Sequence, residues 1–318
     1  MQQPPKISII IPVYNREDLL GYTLDSILGQ TFNDWECILV DDQSSDDSYE
    51  VMESYQEKDN RFKIYKRPNE LKKGANACRN FGFTKSMGYY IKWFDSDDIM
   101  LPNHLEVGYN ALIRDDFDFV ITDTINFNHE TGVLLDKPYD FDRKAAKISA
   151  MNFASNKLGW ITDDFFVGRK LVENLRFNEN ITTDGDEYNF FVRLLNLSTK
   201  GLLIDQILTH RRVHNSTLTK IHGIKNISYI TKIANIKYQT ANDLLVYNNA
   251  KLVRWFMSGY MKSAFDIAVA KKEIPNQKEA MKLIRQYFSF SKSMAFLIAL
   301  FLGFHFKKGY KIMKYARR

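Results

Sequence analysis

Asp95, Asp97 and Asp98 place three carboxylates within four residues, in the run Trp93-Phe94-Asp95-Ser96-Asp97-Asp98. Like charges that close together repel. A chain carries them in a solvated turn, or where a bound cation neutralises them. Tyr89, Tyr90 and Ile91 just before them form an apolar run that reads as a buried strand, so the cluster stands where a strand ends. Asp41 and Asp42 follow a second such run, Trp35 to Val40, and Tyr14 follows a third, Ile7 to Val13. No Walker pattern and no GxGxxG follows the first strand, so the phosphates of a bound nucleotide would need a cation. An Asp cluster on one hard divalent ion meets that need. Asp41 or Asp42 can accept a hydrogen bond from a base N–H, and Tyr14 can pack on the base ring.

These residues can meet only if the strands lie side by side. Ile7 to Val13 is rich in β-branched residues and reads as a central strand ended by Pro12, with Asn15 as the N-cap of the next helix. Strands over Trp35 to Val40, Phe62 to Lys66 and Tyr89 to Phe94 alternate with helices that carry Val51, Met52 and Tyr55, then Ala75, Cys78 and Phe81, and one opened by Pro102. Near-continuous apolar strands joined by helices imply an α/β fold, a mostly parallel sheet covered on both faces. Ligands of such sheets bind at the carboxyl ends of the strands, where Tyr14, Asp42 and Asp95 all fall.

Composition narrows the function classes. The chain has 318 residues, 45% hydrophobic and 14% aromatic, enough for one large domain with an appendage or for two domains. Cys37 and Cys78 lack metal-ligand spacing and read as buried thiols in a reducing compartment. The net charge of +6 is local. Lys307, Lys308, Lys311, Lys314, Arg317 and Arg318 supply it, and the rest balances at 38 basic against 38 acidic residues. A neutral body gives no nucleic-acid surface. The apolar run Ile7 to Val13 is too short for a signal peptide.

Four ordered motifs resemble one family: SIIIPVYNRE from Ser8, VDDQSSDDS from Val40, GANACRNFG from Gly74 and WFDSDD from Trp93. Together, over residues 6 to 219, the chain is similar to the inverting family 2 nucleotide-sugar glycosyltransferases. The resemblance implies the GT-A fold, Rossmann-like, with a C-terminal helical extension. It implies that Pro12, Tyr14 and Glu17 line the nucleoside pocket, that Asp42 faces the base, and that Arg79 lies near the donor. Asp95, Ser96 and Asp97 form the DxD motif, with Asp97 and Asp98 holding Mn2+ or Mg2+. Lys72 and Lys73 lie in the variable loop before Arg79. The family shows Gly-Glu-Asp before its catalytic helix, with the Asp as general base. Here Gly185-Asp186-Glu187 reverses the order. Counting back six residues from Arg193 puts Glu187 at the base position, and Asp186 and Glu187 are taken jointly. A purely structural alternative is an acidic first turn complementing the helix dipole. Trp160 resembles the aromatic bordering the sugar and acceptor pocket, or else is a core residue. His214, with Arg212 beside it, is a candidate third metal ligand or a surface histidine.

Residues 1–219 are expected to form the catalytic domain, 220–293 a helical region, and 294–318 an apolar and basic tail. Met294 to Phe306 as a helix spans about 20 Å, short of the ~30 Å hydrocarbon core, so the tail is expected to lie on an anionic membrane surface. The resulting expectation is an inverting, metal-dependent transferase. It would move a sugar, UDP-linked, to a hydroxyl of a glycan or lipid-linked saccharide in surface polysaccharide synthesis. It would act at the cytoplasmic face of the cell membrane, as a monomer or homo-oligomer. A receiver-type phosphoacceptor using Asp41 or Asp42, and a metal-dependent sugar nucleotidyltransferase, are the alternatives.

Overall fold

The computed structural model describes residues 3–114, 116–181, 185–213 and 226–318. The chain divides into two compact units, Met1–Thr182 with Leu194–Asn215, and Thr183–Arg193 with Ser216–Arg318. The stretch 183–193, grouped by the sequence reading with the first domain, clusters with the C-terminal helices.

The first unit runs β1 (Ile7–Val13), α1 (Glu17–Leu28), β2 (Trp35–Asp41), α2 (Ser48–Lys58), β3 (Phe62–Lys66), α3 (Ala75–Lys85), β4 (Tyr90–Trp93), β5 (Ile99–Met100), α4 (His104–Arg114), β6 (Phe119–Asn128), α5 (Ala150–Ala154), β7 (Phe165–Gly168) and α6 (Arg169–Val172). The helix α7 (Asp186–Leu197) contributes its last residues, and β8 (Gly201–Val213) closes the series. Among the described residues the strands form one sheet in the order β3-β2-β1-β4-β7-β6-β8-β5. Pairing is parallel among β3, β2, β1 and β4 and between β6 and β8. It is antiparallel where β7 meets β4 and β6 and where β5 meets β8.

β1 and β2 are buried along their whole length, as strands covered on both faces must be. Pro12 does not end β1; the strand runs on to Val13, paired with Asp41. The reason lies in which flank lacks the donor. Ile10 O accepts from Phe94 N on the β4 side, and Pro12 faces the same flank by strand alternation. The β4 ladder stops at Ile10, so the missing N–H at Pro12 costs no bond. On one face α3 sits close because Gly82 has no side chain; a Cβ there would lie 2.6 Å from Ile10 Cγ2. Trp93 stacks between Phe83 and Phe165.

In the second unit α8 (Ile227–Asp243), α9 (Ala250–Val269), α10 (Gln277–Tyr287), α11 (Phe290–Phe306) and α12 (Tyr310–Ala316) pack around the largely buried α9. Asn226, Asn249 and Ser289 cap α8, α9 and α11 with their side chains. α11 turns Phe296, Ala299, Leu300 and Gly303 inward. Phe290, Met294, Ile298 and Phe301 stand exposed at helical spacing on its outer side. Among the described residues no helix is long and apolar enough to cross a membrane.

His104 opens α4 with no solvent exposure, its Nδ1 at 3.0 Å from Leu208 O and its Nε2 at 3.2 Å from Thr122 Oγ1. Burial, aided by the charge of Lys92, holds its pKa well below the usual value. The unfolded chain, with an ordinary pKa near 6.5, takes up the proton first. Stability should therefore fall as pH drops below about 6.5. Urea unfolding from about pH 7 to 5 should show a shallower decline for His104→Gln than for the wild type; equal slopes would contradict it.

Candidate active site

Because β2, β1 and β4 are adjacent and parallel, their carboxyl ends share one edge of the sheet. That edge is braced by bonds between loops. Asn15 takes a left-handed backbone with φ of 49° and bonds Ser44 and Ser45. Arg16 N donates to Ser48 Oγ, and Glu17 N to Asp46. α1 is therefore capped by the next loop and not by Asn15. Glu17 accepts from Asp47 N at 2.8 Å, so the residue expected in the nucleoside pocket ties the start of α1 to that of α2. Tyr14 is exposed, with Lys73 Nζ 4.0 Å from its ring centre. Lys72 bonds Asn180.

Asp41 accepts from Gln43 N and Ser44 N, which folds the turn. Asp42 is buried against an equally buried Arg67, whose Nε donates to Asp42 Oδ1. Arg67 Nη1 also donates to Pro68 O and Leu71 O. Asp42 stands at the expected edge, with one oxygen engaged by protein.

At the β4 end, the carboxylates that converge are Asp95, Asp98 and Asp163, with one oxygen of each within 4.8 Å of the others. Asp163 was not singled out by the sequence reading. It belongs to Thr162-Asp163-Asp164, directly before β7. Since β7 runs antiparallel to β4, its start lies at the end of β4. Asp95 N donates to Asp163 Oδ1 at 2.9 Å and Arg212 N to Asp98 Oδ1 at 2.8 Å. Arg79 Nη2 donates to Asp95 Oδ1 at 2.8 Å. Ser96 is buried beside them. Asp97 Oδ2 lies 3.3 Å from Arg16 Nε.

Burial, then the neighbouring Asp97 charge, pushes Asp98 up to about 8. Burial and the charges of Asp95 and Asp98 raise Asp163 well above the carboxylate range. Lys92, fully buried in β4, donates to the carbonyl of Asp163 and is lowered to about 8 by burial, against the pull of Asp163 and Asp164. Asp163 Oδ2 is buried with no hydrogen-bond donor. An all-oxygen carboxylate set with an orphaned buried acceptor fits a hard divalent cation such as Mn2+ or Mg2+.

Asp186 and Glu187 lie in the second unit, in the first turn of α7. Gly185 before them has φ of +115°, and a Cβ there would meet Ile236 Cδ1 at 2.6 Å. Asn189 fastens the turn to α8 through Thr240 and Asp243. Glu187 N donates to Asp186 Oδ1 at 2.8 Å. Trp160 is 1% exposed and packs on Phe153 at 4.6 Å between ring centres, so the structure places it in the core. His214 lies outside the described residues. Arg212, beside it in sequence, donates through Nε to Asp97 O.

A sheet of this order with an acidic edge is the GT-A architecture. The profile of glycosyl transferase family 2 matches residues 8–170, more than half of the chain. The chain belongs to that family and is a glycosyltransferase, which sets aside the phosphoacceptor and nucleotidyltransferase readings. It is 28% identical over 315 residues to the GalNAc(5)-diNAcBac-PP-undecaprenol beta-1,3-glucosyltransferase of Campylobacter jejuni, covering 94% of this chain and 93% of that protein. Glycosyltransferase GlyA of Streptococcus pneumoniae is 27% identical over 314 residues, which is 91% of this chain. The chain spans 43% of GlyA's length. Among solved structures, residues 1–349 of S. aureus TarS in complex with UDP-GlcNAc share the fold with a TM-score of 0.64. Identity there is 14%, covering 94% of this chain and 89% of TarS 1–349.

Removing one partner of a buried ion pair leaves an uncompensated charge and costs about 3–5 kcal/mol. Arg67→Met should lower the unfolding free energy by that order in urea titrations. A loss under about 1 kcal/mol would show that the pair with Asp42 is not structural.

Proposed function

We propose that the chain is an inverting, metal-assisted glycosyltransferase. In this reading it moves a sugar from a UDP-sugar to a hydroxyl of a lipid-linked saccharide, in surface polysaccharide synthesis. The observation that carries the donor side is the meeting of carboxylates on the sheet edge that also bears Tyr14 and Asp42. The printed activity of the Campylobacter relative, which names an undecaprenol-linked acceptor, supports the acceptor class. The UDP-GlcNAc complex of TarS supports the donor class.

A divalent cation held by the edge carboxylates would stabilise the departing diphosphate. The chain's own residues supply the rest. Tyr14 packs on the base, and Asp42, fixed by Arg67, offers an acceptor to a base N–H. Glu187 removes the proton from the acceptor hydroxyl, whose oxygen attacks the anomeric carbon from the face opposite the leaving group. Asp186 Oδ1 accepts from the N–H of Glu187, and Glu187, six residues before Arg193, is taken as the base. Residues 1–219 form the catalytic part in this reading.

In this reading the C-terminal region lies on an anionic membrane at the cytoplasmic face, which the exposed apolar side of α11 with Lys307, Lys308, Lys311 and Lys314 supports. From Phe290 onward no acidic residue opposes that charge.

Turnover with a UDP-sugar should release UDP and give a product of inverted anomeric configuration by NMR. Retention of configuration would sink the proposal. Glu187→Gln should cut kcat by roughly 10²–10⁴-fold while UDP-sugar binding persists. Asp186→Asn should cost less, and the reverse order would transfer the base role to Asp186. Replacing the four lysines by Gln should weaken binding to phosphatidylglycerol vesicles by about 1 kcal/mol each, roughly a thousandfold together. Unchanged co-sedimentation would remove the membrane from the account.

A further inference from the structure

We infer that the C-terminal helices carry a binding site for a phosphate dianion, built by Lys237, Lys262 and Arg317 around the hydroxyls of Ser258 and Ser263. The site lies wholly within the second unit. It does not depend on the transfer chemistry or on the four lysines of the tail.

Three segments supply its groups. On α9, Gly259, Lys262, Ser263 and Asp266 follow the i, i+3, i+4, i+7 spacing of one helical face, with Ser258 beside them. Lys237 reaches this face from α8. A Cβ at Gly259 would meet Lys237 Cδ at 3.0 Å and Nζ at 3.3 Å, so the bare glycine gives the lysine stem its bed. Lys237 Nζ stands 3.5 Å from Gly259 O and 3.4 Å from Ser263 Oγ. Arg317, directly after α12, donates through Nε to Ser258 Oγ at 3.2 Å.

The charges gathered there do not balance. Lys237, Lys262 and Arg317 surround a single carboxylate, Asp266. Burial, then the charges of Lys262 and Arg317, lowers Lys237 to about 8 against the pull of Asp266. Burial raises Asp266 against the pull of the three cations. An ammonium has three donors, and both contacts of Lys237 are longer than a usual N–H···O bond. Three cations against one carboxylate leave an excess of about two positive charges. A ligand with two negative charges and several acceptor oxygens offsets that excess and shortens those contacts. A carboxylate brings one charge and two oxygens. A phosphomonoester or diphosphate brings about two charges and at least three free oxygens, and a guanidinium fork matches its geometry. Such a group exists free in solution and as the headgroup of a phosphorylated lipid.

The test is calorimetric titration of the full chain with inorganic phosphate, in EDTA so that no divalent ion bridges phosphate to the acidic sheet edge. Wild type should bind one phosphate saturably. Lys237→Gln and Lys262→Gln should each weaken binding roughly tenfold or more. Lys262 is exposed, so its variant still decides if Lys237→Gln fails to fold. Lys282→Gln, which removes an exposed charge from α10, should leave binding nearly unchanged. Vesicles containing phosphatidic acid form the second arm. Displacement of phosphate by them, or binding to them alone that is lost in Lys262→Gln, supports the site and makes a lipid headgroup its ligand. Phosphate binding that the vesicles do not displace supports the site and makes a soluble anion its ligand. The site is overturned if wild type binds neither probe, if Lys262→Gln binds as wild type does, or if Lys282→Gln weakens binding as much. The phosphate arm contains no membrane, so its outcome is separate from that of the tail lysines.

Discussion

Repulsion among carboxylates at the end of β4 is the constraint on which the first unit depends. Were Asp95, Asp98 and Asp163 all ionised, each pair, within 4.8 Å, would cost about 3 kcal/mol at an effective dielectric near 20. Three such pairs approach the whole stability of a typical domain, roughly 5–15 kcal/mol. The fold answers with cations drawn from separate elements. Lys92 comes from inside β4, Arg79 from α3, and Arg16 from the turn before α1. Arg212 adds its backbone amide from β8. The upward shifts of Asp98 and Asp163 show what these partners leave uncompensated. Protons or a cation must supply the remainder. Such an arrangement is costly as scaffolding and sensible as a binding site.

The parallel half of the fold was legible in the sequence because each strand is an apolar run and each helix has its own period. The strands Ile7–Val13, Trp35–Asp41 and Phe62–Lys66 appear at their expected bounds to within one residue. Pro12 misled because a proline in a strand is harmful only on a flank that needs its N–H. Which flank is open depends on how far β4 extends, and that is a tertiary fact. Asp163 was illegible for a similar reason. The acidic pair before Phe165 resembles any acidic turn until β7 is known to run against β4. Antiparallel insertion leaves no mark in the periodicity of a four-residue strand.

Motif residues proved to have structural duties as well. Glu17 and Asn15 join two helix starts, and Asp41 folds its own turn. Asp42 is anchored by Arg67, which also gathers the carbonyls of Pro68 and Leu71. In the proposed reading Asp42 faces the base, and a mobile carboxylate there would bind many donors poorly. One oxygen fixed by a buried guanidinium presents the other in a single orientation, and the entropy of that ordering is lost during folding and not during binding. The ion pair that stabilises the loop is thus the same interaction that can make the site selective.

The same economy operates in the second unit around Gly185. The acidic pair must start a helix that packs on α8, where Ile236 leaves no room for a side chain. A positive-φ glycine is the residue that turns the chain there without strain. Asn189, one turn later, clamps α7 to Thr240 and Asp243. Asp186 Oδ1 accepts from Glu187 N at the helix start, and the side chain of Glu187 is one methylene longer than an aspartate. That length offers about 1.5 Å of extra reach. An exchange of Asp and Glu within the turn therefore redistributes that reach between neighbouring positions and leaves the backbone of the turn as it is.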